Sequence, residues 1–115
     1  MIRRKEQAKV VEKQMFDGAG TAKMRLILET NEEMYQKGRV FNHVFLEPGC
    51  EIGWHIHRGD GETYYILKGI GEYSDNGNLV TVEPGDVTFV DDGQGHSLKN
   101  IGEETLEAIA LILFK

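Results

Sequence analysis

The stretch from Gly49 to Gly69, GCEIGWHIHRGDGETYYILKG, carries two of the chain's four histidines one residue apart, and a glutamate follows soon after. On an extended strand, side chains two apart leave the same face, so His55 and His57 stand side by side with their backbones roughly 6 to 7 Å apart. Two imidazoles so placed can close on one ion. Glu62 follows the glycine-rich break RGDG and falls on what reads as the next strand, where its carboxylate can fold back to the same point. Farther along, His96 opens another strand after DDGQG and completes a set of three nitrogens and one oxygen. That mixed set suits manganese, iron, zinc, nickel or copper better than magnesium or calcium, which prefer oxygen ligands.

Working outward, fourteen glycines against two prolines, with short β-rich runs between turn signals, point to an all-β chain. The runs Val40–Leu46, Ile52–His57, Thr63–Leu67, Gly71–Ser74, Leu79–Val82, Val87–Val90, His96–Asn100 and Leu106–Phe114 read as strands. Between two of them, Asn76-Gly77 is a tight-hairpin signal, because both central residues of that turn need positive φ. The two EPG turns fit type II geometry, with proline setting φ and glycine accepting a positive φ after it. Strands at this spacing predict a sandwich or barrel. In the first 38 residues, Lys9–Glu12 and Lys23–Leu28 read as strands around FDGAGT, and Thr30–Lys37 as a helical turn or irregular loop.

The segment resembles the first motif of the cupin superfamily: Gly, five residues, His-X-His, three or four residues, Glu, six residues, Gly. Gly49, His55, His57, Glu62 and Gly69 fill every fixed position. The second cupin motif is matched in GDVTFVDDGQGHSLKN by Gly85, Gly93, His96 and Asn100, with Asp91 where a proline belongs. The resemblance covers residues 49–100 and implies a double-stranded β-helix, the jelly-roll cupin barrel, with a metal held inside by His55, His57, Glu62 and His96. It assigns Asn100 and the motif glycines structural roles, and makes the proline position a matter of turn rigidity. Residues 1–115 are then one cupin unit, with an N-terminal arm over 1–38 and the barrel core over 39–115.

Composition narrows the partners. A net charge of −6 argues against nucleic acid, since phosphate binding draws on clustered Lys and Arg. The one basic cluster, Arg3, Arg4 and Lys5, lies at a terminus expected to be loose. No apolar run is long enough to span a bilayer, and the start of the chain lacks the apolar centre of a secretory signal. With a single cysteine, Cys50, read as a small partly buried filler, the expectation is a cytoplasmic protein.

Other chemistry-bearing residues read more plainly. His43, in VFNHVFL, shares a face with Phe41 and Phe45 and reads as a half-buried strand histidine. Tyr64 should share a face with Glu62, pointing inward where its hydroxyl could meet a ligand. Asp60, Asp91, Asp92, Glu103 and Glu104 read as solvated turn residues. Gly69 and Gly71 begin like a dinucleotide-binding fingerprint, but Ser74 breaks it and no helix follows.

Three imidazoles and one carboxylate leave a divalent ion with residual positive charge and positions open to a small chelating anion. The resemblance narrows this further, since the short form with this ligand set is similar to small bacterial cupins likened to oxalate decarboxylases and germins. It implies manganese and a ligand such as oxalate, with decarboxylase or oxidase activity in view. An iron-dependent dioxygenase and a non-catalytic small-anion module are the alternatives, and no lid glutamate suited to delivering a proton is recognisable. Small cupins commonly pair back to back, which implies a homodimer.

Overall fold

The computed structural model describes residues 1–115. Ten strands follow one another: β1 (Val10–Lys13), β2 (Ala22–Leu28), β3 (Gly38–Leu46), β4 (Glu51–Ile56), β5 (Asp60–Lys68), β6 (Gly71–Asp75), β7 (Asn78–Val82), β8 (Val87–Val90), β9 (Gly95–Asn100) and β10 (Leu106–Phe114). They form a six-stranded sheet, β1-β2-β3-β10-β5-β8, facing a four-stranded sheet, β4-β9-β6-β7, with all named pairings antiparallel. This is a double-stranded β-helix. The N-terminal strands extend the larger sheet.

Alternation along each strand decides what faces inward. In β3, Asn42, Val44 and Leu46 are buried while Phe41, His43 and Phe45 are half-buried on the outer face; β10 buries Leu106, Ala108, Ala110 and Ile112. Leu46, Ile66, Leu98 and Leu106 are sealed between the sheets, each worth about 1.5–3 kcal/mol of burial. His43 lies 2.8 Å from a Glu107 oxygen and stacks on Phe45, as a strand histidine and away from the cavity.

The turn chemistry follows the sequence. Cys50 N–H donates to Glu47 O across Pro48-Gly49, and Asp86 N–H donates to Glu83 O across Pro84-Gly85. Asn76 and Gly77 both have positive φ between the paired residues Asp75 and Asn78. Gly69 serves a second purpose: with φ at +87°, it also leaves no room for a Cβ, which would stand 2.9 Å from Leu106 Cα. Asn100, fully buried, donates to the carbonyls of Leu46 and Glu104 and accepts from Gly102 N–H, pinning two loops. At the missing proline, Asp91 N–H donates to Gln94 Oε1 and its carboxylate accepts Asp92 N–H. The side chains brace the turn that a proline would otherwise stiffen.

The stretch Thr30–Lys37 holds a short 3-10 helix, Glu32–Met34, the helical turn of the two readings offered for it. Two expectations change. β5 begins at Asp60 rather than Thr63, because Asp60 and Gly61 already pair with Phe114 and Leu113 of β10. The terminus is tied down, not loose: Arg3 donates to Ile27 O and pairs with Glu29 and Glu33.

Candidate metal centre

β4 and the residue just past its end supply His55 and His57, while antiparallel pairing sets His96 of β9 directly opposite His55. Glu62 comes from β5 in the other sheet, so the four side chains meet between the layers. The Nε2 atoms of His55 and His57 are 3.1 Å apart, those of His57 and His96 3.2 Å, and those of His96 and His55 3.0 Å. Glu62 Oε1 is 3.0 Å from His96 Nε2, 3.3 Å from His57 Nε2 and 3.8 Å from His55 Nε2.

The outer nitrogens explain why the inner ones converge. His55 Nδ1 donates to Gly53 O at 2.8 Å, and His57 Nδ1 donates to Asp60 Oδ1 at 2.7 Å. Both bonds place the ring proton on Nδ1 and leave the Nε2 lone pair inward when the imidazole is neutral. His96 Nδ1 meets the Tyr73 hydroxyl at 2.8 Å. Lone pairs crowded at about 3 Å repel unless a cation lies among them, and metal–nitrogen bonds of roughly 2.1 Å set neighbouring donors at about that spacing. The donor set fits a bound divalent transition metal.

Electrostatics agree. Burial alone would raise the Glu62 carboxyl, but the three histidines outweigh it and hold it well below the usual range, so it stays anionic. Glu62 in turn raises His57 against the effect of burial, with Asp60 adding to the rise. Burial lowers His96, disfavouring its charged form. Burial also pushes Tyr73 up to about 12 and Tyr64 well above the ordinary phenol, with Glu62 adding to the rise at Tyr64. Both hydroxyls keep their protons.

A cavity of about 90 Å³ opens on this group. His55, His57, Glu62 and Tyr64 line it with mostly apolar neighbours, and Tyr64 does point inward, its ring stacked on His96 at 5.1 Å. Phe16 covers His55, ring on ring at 4.0 Å. Its loop is pressed onto β4 so closely that a Cβ on Gly53 would meet Phe16 O at 2.2 Å.

Several residues of the site escape a reading by pattern. Asp60 is not a solvated turn acid: it is buried, accepts the hydrogen bond from His57 Nδ1–H and pairs with Arg39 at 2.8 Å. Burial raises its carboxyl, while Arg39 and then His57 more than offset this, for a net lowering. Arg39, Asn42 and Phe16 line the cavity, and Tyr73 backs His96, yet none stands in a recognisable spacing. Asp60 alone offered a hint, as an acid three residues after a candidate ligand.

The fold and this centre define a cupin, and comparison with known proteins bears this out: the profile of the cupin domain family matches residues 42–112, so the chain belongs to that family. It is 42% identical over 99 residues to the oxalate-binding protein of Thermotoga maritima, covering 86% of this chain and 81% of that one. A crystal structure of a predicted oxalate decarboxylase from Thermotoga maritima superposes with a TM-score of 0.94 at 38% identity, over the whole of both chains. The polyketide cyclase RemF of Streptomyces resistomycificus matches 99% of this chain and 80% of its own with a TM-score of 0.76 at 16% identity, a likeness of fold alone.

Proposed function

We propose that the protein holds one divalent transition metal, manganese by preference, on His55, His57, Glu62 and His96, and binds a small carboxylate such as oxalate there. The observation that carries this reading is the convergence of three Nε2 atoms and an anionic carboxylate, each imidazole held by a separate partner on its far side. When bound, the metal supplies Lewis acidity and a template for a chelating anion. The relative named for oxalate binding supports the choice of anion.

The chain's own residues favour binding over turnover. Decarboxylation needs a positioned proton donor, and Glu62, already committed to the histidines, is the one carboxylate lining the cavity. Tyr64 keeps its hydroxyl proton and offers a hydrogen bond to the anion, while Phe16 and the apolar walls limit water. The non-catalytic reading therefore stands ahead of an oxalate decarboxylase or oxidase.

Residues 1–115 act as one cupin unit, since β1 and β2 continue the barrel's own sheet. A cytoplasmic location agrees with the lone free cysteine, and no helix is long and apolar enough to cross a membrane. The charge of −6 disfavours nucleic acid as a partner. We also propose a homodimer, supported by the apolar outer face of the six-stranded sheet, where Tyr65, Leu67, Val87 and Phe89 are exposed. Light scattering at micromolar concentration reads the dimer directly; a monomer there removes it.

Elemental analysis of protein purified without chelator or a nickel column tests the metal, with His55→Ala as control. About one manganese per chain, lost in the variant, together with calorimetric binding of oxalate, is the expected result. Iron in its place directs attention to oxygen uptake and the dioxygenase reading. Absence of any metal, with no oxalate bound, overturns the proposal.

A further inference from the structure

The cavity that opens on the histidine group carries one permanent cation, Arg39. Strict alternation along β3 would send this side chain to the outer face with Phe41, His43 and Phe45. The pairing with β10 prevents that: Ile112 pairs with Val40 but Leu113 with Gly38, so Arg39 is passed over as a bulge. Bulges re-aim side chains. Here Arg39 turns over the end of the barrel and donates Nε–H to Asp60 Oδ2 at 2.8 Å.

That single bond orients the guanidinium without consuming it. Arg has five donors, and the four on its terminal nitrogens have no protein partner, on a side chain 45% exposed at the cavity. Beside it, Asn42 is 8% exposed and lines the same cavity, with no side-chain hydrogen bond to the protein. A fork held at one end by a buried carboxylate suits a second, incoming carboxylate, and the loss of rotamer freedom has already been met in folding.

We propose that Arg39, assisted by Asn42, is the specificity-determining residue of the site and selects dicarboxylates over monocarboxylates. One carboxylate of the ligand lies at the histidine group, and the oxygens directed away from it meet the Arg39 terminal N–H groups. Asp60 links the two ends, since its other oxygen holds His57. This inference rests on the reading of the histidine group as a metal site that takes a carboxylate.

The test is isothermal titration of the manganese-loaded protein with oxalate, malonate and acetate, for the wild type, R39Q and R39K, with manganese content measured on each. R39Q should weaken oxalate and malonate by about 10- to 100-fold, leave acetate within about threefold, and keep its manganese; R39K should fall between, having charge without the fork. Wild-type dicarboxylate affinity in R39Q overturns the inference alone. Loss of manganese from R39Q also overturns it, making Arg39 a support for Asp60 and His57. A wild type that holds manganese but binds none of the anions defeats the carboxylate reading itself, and this inference with it.

Discussion

The Tyr73 hydroxyl lies 2.8 Å from His96 Nδ1, on the side of the ring opposite the Nε2 that faces Glu62. Asp60 serves His57 in the same way, and the Gly53 carbonyl serves His55. A buried phenol, a buried carboxylate and a main-chain carbonyl thus orient three imidazoles toward one point. The Tyr73 and Asp60 supports can be deleted separately by substitution, whereas the Gly53 carbonyl can only be displaced.

Tyr73→Phe keeps the ring and deletes the bond to His96. Stability should fall by about 1 kcal/mol, as for a typical hydrogen bond. Metal affinity should fall by about 10- to 100-fold, because an outer partner fixes both tautomer and ring orientation. Competition against a chromophoric chelator measures the second quantity, and an unchanged affinity would show that His96 is oriented by packing against Tyr64 alone.

If the four donors hold an ion as proposed, metal removal should register as stability, since the donors are assembled in the folded chain and not in the unfolded one. At a free concentration of one hundred times Kd, manganese should add about 2.7 kcal/mol. At roughly 4 °C or more per kcal/mol, thermal denaturation should shift upward by about 10 °C over chelator-treated protein. His55→Ala should show no shift. An equal manganese response in that variant would place the ion elsewhere.

Spacing made much of this site readable. His55 and His57 are two apart on a strand, so period-two geometry sets them side by side, while Glu62 and His96 follow turn signals and join the set through the resemblance to the two cupin motifs. The EPG turns and Asn76-Gly77 are equally local, each stated by residues whose φ preferences are known. What stayed hidden depends on register. A one-residue bulge at Arg39 reverses the face that alternation assigns to it. Asp60 belongs to β5 only because β10 pairs with it, and nothing within RGDG reveals that partner. Phe16 reaches His55 through a loop whose placement is set by contact with β4, far away in the chain.

Two glycines of the quoted stretch should separate backbone strain from site geometry. At Gly49 a Cβ meets nothing within 4 Å, yet φ is +81°, so Gly49→Ala should cost about 1–2 kcal/mol and leave metal content intact. At Gly53 a Cβ would lie 2.2 Å from Phe16 O and 2.7 Å from Gly18 N, both main-chain atoms. Gly53→Ala should therefore displace the covering loop and the carbonyl that orients His55. It should lose about 1–3 kcal/mol and metal affinity together. Denaturation curves and metal content on both variants decide the matter; full metal binding by Gly53→Ala would mean that the loop yields without disturbing His55.

The N-terminal anchor should weaken in acid. Glu33 accepts the Glu29 N–H at 2.6 Å and Arg3 Nη2 at 3.0 Å, and the Glu29 amide, then Arg3, hold its carboxyl below the ordinary 4.5. A carboxyl depressed in the folded state binds fewer protons there than in the unfolded chain. Its contribution is complete above about pH 4.5 and fades as pH falls through the lower folded value. Because Glu33 lies at the surface, the effect should be small and sensitive to salt. Carboxyl NMR should show Glu33 titrating below the usual glutamate range, and Glu33→Gln should flatten the fall in stability below pH 4.5 relative to wild type. A Glu33 titration at or above 4.5 would mean that the Glu29 amide and Arg3 do not hold the Glu33 carboxylate in solution.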